Sequence, residues 1–147
     1  MTTLLKSATI IDSSSQYHKQ IKDILIINGK IDKIANKIQN KPSYKVIELE
    51  NLHVSCGWLD TSVSLGEPGY DERETIQNGL LVASKSGFTS IALNPNTFPV
   101  IDSKSDIEFL INKASNSATS LYPICALTKL SDWKEIAELY EIGRAHV

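Results

Sequence analysis

The sequence predicts an α/β fold in which a short run of β-strands precedes a parallel strand–helix repeat. Two observations carry that prediction. From Gly57 onward the chain runs strand, helix, strand, helix, strand, helix, the rhythm of parallel α/β architecture. Before Gly57 it reads as short strands punctuated by turn residues.

The first strand is expected over Leu4–Ile11. Asp23–Ile27 and Lys30–Ala35 flank Asn28-Gly29, two residues that tolerate the positive φ of a tight hairpin turn, and so predict a β-hairpin. Lys45–Leu49 adds a further short strand. The next strand, Gly57–Leu65, ends in the turn-rich Gly66-Glu67-Pro68-Gly69. Asp71 with Glu74 has the spacing of a capping box, and Ile76, Leu80 and Ala83 recur on one helical face before Gly87 stops the helix. Phe88–Leu93 is a strand and Asn94-Pro95-Asn96-Thr97 its terminal loop. Ser103 and Asp106 start a second helix with Ile107, Leu110, Ile111 and Ala114 as its apolar stripe. Ser120–Ala126 is expected as a strand and Asp132–Tyr140 as a third helix. Three such units cannot close an eight-stranded barrel, which leaves an open sheet as the alternative if the chain is complete.

Composition narrows the function classes. The 147 residues carry a net charge of −2 and are 41% hydrophobic, as expected of an ordinary globular domain. Near-neutral charge gives no general pull toward nucleic acid or an anionic membrane. The first fifty residues hold eight lysines against five acids, but without aromatic interleaving or an arginine cluster they read as a solvated sheet face. Cys56 and Cys125 are expected as free, partly buried thiols, and three scattered histidines cannot complete a structural zinc site. No signal-peptide pattern and no span of roughly 18 apolar residues occurs, so the expected location is cytoplasmic. Neither G-x-G-x-x-G nor a P-loop is present.

Two runs carry a resemblance. Gly57-Trp58-Leu59-Asp60-Thr61-Ser62-Val63-Ser64-Leu65-Gly66-Glu67-Pro68-Gly69 is similar to a G-[hydrophobic]-[hydrophobic]-D-x-H-x-H-x-R-x-P-G signature. Gly87-Phe88-Thr89 and Asn94-Pro95-Asn96-Thr97-Phe98-Pro99 resemble a G-G-F-T run and an M-P-N-T-x-P loop. Together they identify the chain as a dihydroorotase-like member of the amidohydrolase superfamily. The resemblance implies a partial TIM (β/α)8 barrel of metal-dependent hydrolase type, preceded by a small N-terminal β-sandwich segment. The expected organisation is 1–54 for that segment, 55–141 for the first three barrel units, and 142–147 for an extraneous tail.

The departures from the signature bear on chemistry. Family members use two histidines, one residue apart on the first barrel strand, to hold a divalent ion; strand periodicity points both the same way. Here those positions are Ser62 and Ser64, whose neutral hydroxyls are poor zinc ligands. Gly66 stands where the family has an arginine that pairs with the substrate carboxylate, and Asn96 retains a substrate-contacting asparagine. Restoring histidines at 62 and 64 is expected to raise metal affinity, and an arginine at 66 to rebuild the clamp. Asp60 is expected to be a structural hydrogen-bonding residue, Glu67 an exposed carboxylate, His53 structural, and Tyr70 and Arg73 loop surface within reach of a ligand.

The resemblance thus implies a non-catalytic protein of pyrimidine biosynthesis and structural partner of aspartate carbamoyltransferase, with homo-oligomerisation also open. The alternative is an active cyclic-amide hydrolase whose later strands supply a carboxylated lysine, two histidines and an aspartate. No cofactor is expected in this stretch, whereas active family members hold zinc. The tail Ile142-Gly143-Arg144-Ala145-His146-Val147 resembles an in-frame translation of a sequencing adapter, so His146 receives no functional weight and the chain is expected to be a fragment.

Overall fold

The computed structural model describes residues 1–138. The described residues divide into two compact units, Met1–Cys56 and a second that begins at Gly57.

The first unit is a five-stranded sheet made of β1 (Thr2–Ile11), β2 (Ile21–Ile27), β3 (Lys30–Ala35), β4 (Lys45–Glu48) and β5 (His53–Ser55). The order is β3-β2-β1-β4, and β5 also pairs with β1. Asn28 and Gly29 take φ of 50° and 79°, the left-handed pair that the two-residue hairpin requires. β5 was absent from the expected elements; at three residues it is too short to show a period.

A bulge decides which side of this sheet each apolar residue covers. Leu5 pairs with Ile24 and Ala8 with Lys22, so β1 carries one extra residue between them. Leu4, Ala8 and Ile10 share parity in sequence, yet the bulge separates them. Leu4 packs with Leu25 and Ile38, while Ala8 and Ile10 pack with Ile24 in another cluster. Bulged Ser7 has φ 53°, and its N–H donates to Oδ1 of buried Asp23 at 2.9 Å. The other oxygen of Asp23 accepts the Ile38 N–H at 2.8 Å. Asp23→Ala therefore leaves two backbone donors without partners and is expected to lower stability by about 2 kcal/mol. Asp23→Asn, which keeps one acceptor, should cost roughly half as much in a urea titration.

The second unit is a parallel sheet of β6 (Trp58–Val63), β7 (Phe88–Leu93) and β8 (Ser120–Pro123), in that order. Helix α1 (Ile76–Lys85) connects β6 to β7, and α2 (Lys104–Lys113) connects β7 to β8. Ile76 and Leu80 of α1, Ile107 and Leu110 of α2, and Ile91, Leu93 and Leu121 of the strands form the core. Fully burying one such side chain stabilises the unit by about 1.5–3 kcal/mol. Leu59, Thr61, Ser90, Ala92 and Tyr122 line an open depression of about 330 Å³. This is an α/β fold consistent with part of a TIM-type barrel; among the described residues the barrel does not close. Nor, among them, is any helix long and apolar enough to cross a membrane.

Helix α2 starts as expected, with Ser103 and Asp106 in a reciprocal capping box. Helix α1 does not. Its N-cap is Thr75, whose hydroxyl accepts the Asn78 N–H at 3.2 Å. Asp71 instead accepts the Gly69 N–H at 3.0 Å. The residues before Thr75 are held in a loop because the Gly66 and Glu67 N–H groups donate to the Glu74 carbonyl at 3.0 and 3.1 Å. Competing backbone bonds thus exclude the earlier helix start.

The third helix is also a correction. A short 3-10 turn spans Lys129–Ser131, and residues 132–138 are irregular. Leu130, Ser131 and Trp133 have φ of 54°, 55° and 65°, which no right-handed helix accommodates. Trp133 and Ile136 are exposed while Ala137 is buried in the core. The segment is held by an antiparallel bridge of Ile136 to Thr128, with the Ala137 N–H donating to the Leu127 carbonyl at 3.0 Å, in place of helical bonds. The last residues of that expected helix and the 142–147 tail lie outside the described residues. Cys125 is half-buried as expected, but Cys56 is exposed.

Candidate functional site

The candidate site is the carboxyl end of β6 and β7, where ligands bind in parallel α/β folds. Asp60 pairs with Ile91 and Val63 with Leu93, so β6 carries one residue more than β7 across this interval. The Asp60 carboxylate accepts the Ser62 N–H at 3.0 Å, which satisfies a donor within the bulge. Val63 packs against the helix-side core. Ser62 and Ser64 flank it and face the other way, because side chains alternate along a strand.

The turn after β7 closes over these serines. The Asn94 N–H donates to the Val63 carbonyl at 2.8 Å, which anchors the loop to the end of β6. The Asn94 side-chain Nδ2 then donates to Ser62 Oγ at 3.1 Å and to Ser64 Oγ at 3.4 Å. Asn96 Nδ2 donates to Ser64 Oγ at 2.9 Å. The structure therefore brings together three residues singled out in the sequence, Ser62, Ser64 and Asn96. The sequence marks Asn94 only as part of the loop after Leu93. The available signal was its place directly after a strand parallel to the one that carries the serines.

Gly66 lies in the loop that follows. Its carbonyl accepts the Tyr70 N–H at 2.9 Å. A Cβ at residue 66 would lie 1.9 Å from the Tyr70 carbonyl oxygen and 2.8 Å from its carbon. A side chain at 66 therefore requires this backbone to shift, which weighs against the expectation that an arginine there would rebuild an anion clamp.

Glu67 is likewise not the exposed carboxylate expected. It is 4% exposed, its Oε2 accepts the Ile76 N–H at 2.9 Å, and Oε1 pairs with Lys113. The carboxylate thus sits at the N-terminus of α1, a favourable place for negative charge, and its partner Lys113 lies in the last turn of α2, a favourable place for positive charge. Arg73 stacks on the Tyr70 ring, with its guanidinium carbon 4.3 Å from the ring centroid, and lies 3.8 Å from Glu72. His53 is exposed on β5, its Nδ1 2.6 Å from the Asn51 carbonyl.

Comparison with known proteins decides the family. The family profile described as "Dihydro-orotase-like" matches residues 53–145. The chain belongs to this family. It is 35% identical over 147 residues to a dihydroorotase of Syntrophus aciditrophicus, covering 99% of this chain and 34% of that protein. A dihydroorotase of Elusimicrobium minutum is 36% identical over 148 residues, with 99% and 33% covered. The chain thus spans about a third of the length of the curated relatives it matches. Among solved structures, the L-hydantoinase of Arthrobacter aurescens superposes with a TM-score of 0.72 at 19% identity, covering 86% of this chain and 28% of that one. A dihydroorotase superposes with a TM-score of 0.67 at 16% identity, covering 99% and 39%. At those identities the superpositions establish the fold alone.

The dihydroorotase-like signature implies a metal at positions 62 and 64, and the residues present do not fit one. Ser64 Oγ accepts two amide protons and Ser62 Oγ accepts one, so lone pairs that a cation would need are turned to donors. Neutral hydroxyl and amide groups are also weak ligands for zinc beside imidazole or carboxylate. Among the described residues, no group of three His, Cys, Asp or Glu side chains is placed to hold a metal.

Proposed function

We propose that the protein is a non-catalytic dihydroorotase-like protein of pyrimidine synthesis that serves as a structural partner of aspartate carbamoyltransferase in the cytoplasm. The Ser62–Ser64–Asn94–Asn96 hydrogen-bonded cluster supports this reading, because it stands where a hydrolase of this family needs metal ligands. Without a cation there, neither activation of water nor charge stabilisation of a tetrahedral oxyanion is supplied from this strand. The closed loop at Gly66 supports the same reading from the substrate side. The test is copurification of the full-length protein with aspartate carbamoyltransferase, together with analytical sizing of the mixture. A stable joint species is expected. Independent migration, with no effect of mixing on the activity of aspartate carbamoyltransferase, would sink the scaffold role.

A second reading, an active cyclic-amide hydrolase, is favoured by one specific observation: Asn96 survives at the strand end. It requires a cation held by other residues of the full-length protein. Stoichiometric zinc by elemental analysis, with dihydroorotate turnover abolished by chelation, would establish it over the scaffold.

A further inference from the structure

The side-chain cluster at the end of β6 has a polarity as well as a composition. A cation site needs lone pairs converging on one point, whereas the Asn94 amide nitrogen has only protons to offer. One is directed at each serine oxygen, and Asn96 adds another to Ser64. Asn94 is also the member with a fixed mount, because its own N–H is held by the Val63 carbonyl at 2.8 Å. Its amide is therefore carried over Ser62 and Ser64 by the main chain that joins the two strand ends.

We infer that Asn94 holds this strand end in a cation-refusing state, so that residue 94, and not the two serines alone, sets divalent-metal affinity here. The inference rests on the non-catalytic reading of the site and extends it to a residue outside the two ligand positions. An imidazole installed at 62 or 64 would present its lone pair to the same amide protons. Each N–H···N bond then competes directly with coordination. Restoring the histidines is therefore not sufficient, which revises the expectation drawn from the signature.

The experiment uses the full-length protein, stripped of metal with a chelator, and cobalt(II) as the probe, followed by its visible absorption and by equilibrium dialysis. Ser62→His/Ser64→His is compared with the same pair plus Asn94→Leu, which keeps the volume and removes both donors. Two hydrogen bonds of ordinary strength make the expected difference at least about tenfold tighter cobalt binding in the triple variant. Asn94→Ala on the same background removes both donors without adding a ligand, so it must also tighten binding; it decides the matter if the leucine variant is unfolded by circular dichroism. Equal affinity with and without Asn94 overturns the inference and leaves the non-catalytic reading intact. Tight, chelatable cobalt in the unmutated protein overturns the non-catalytic reading instead, and the variants still report on Asn94.

Discussion

Replacing Gly66 by alanine is expected to lower the stability of the protein by about 3 kcal/mol, and replacing it by arginine to cost no less. The reason is the position of the first carbon. A Cβ would sit 1.9 Å from the Tyr70 carbonyl oxygen, and that oxygen belongs to a backbone that cannot rotate aside as a side-chain tip can. The neighbouring bonds resist a shift: Tyr70 N–H to Gly66, Arg73 N–H to Tyr70, and both Gly66 and Glu67 N–H to Glu74 close the loop on itself. Alanine already meets the obstruction, so the longer arginine is not required for the effect. Urea midpoints of the two variants check this. A fully stable Gly66→Ala would show that the loop opens freely, and would revive arginine at 66 as a route back to anion binding.

The second large effect is expected at Glu67. Glu67→Ala should cost about 3 kcal/mol, because it removes a buried carboxylate that satisfies the Ile76 N–H and faces Lys113. Glu67→Gln retains an acceptor for Ile76 and should cost about half that. Lys113→Met is also destabilising, since it leaves the Glu67 charge buried with only the helix N-terminus in support. The Lys113 side chain is 33% exposed and can be hydrated, so the energy of the pair is well below that of a fully buried one. A double-mutant cycle of Glu67→Gln and Lys113→Met should return a coupling of about 1 kcal/mol. Strict additivity would mean that Glu67 acts only through the end of α1.

Elements whose periodicity agrees with their packing were legible from the chain alone. The Asn28-Gly29 hairpin, strand β7 and helix α2 match expectation because turn chemistry, alternation and a capping box act within a few residues. The expected helix over Asp132–Tyr140 is displaced, within residues 132–138, by backbone pairing with residues 127–129, which the local pattern does not register. The start of α1 failed for the opposite reason. Asp71 and Glu74 have capping-box spacing, but the Glu74 carbonyl is committed to Gly66 and Glu67, eight and seven positions back.

At the candidate site the division is equally physical. Residue identity by itself determined that imidazole is missing at 62 and 64 and that 66 has no side chain, and hence the family together with its departures. What occupies the vacated hydrogen-bonding directions was decided only by the tertiary structure. Asn94 comes thirty residues after Ser64, and a parallel register with a bulge in β6 brings its amide within 3.4 Å of both hydroxyls. The burial of Glu67 and the closure over Gly66 are of the same kind. Each depends on contacts between segments that local sequence preference cannot register, because desolvation and hydrogen-bond partners are properties of the assembled surface and not of the residue.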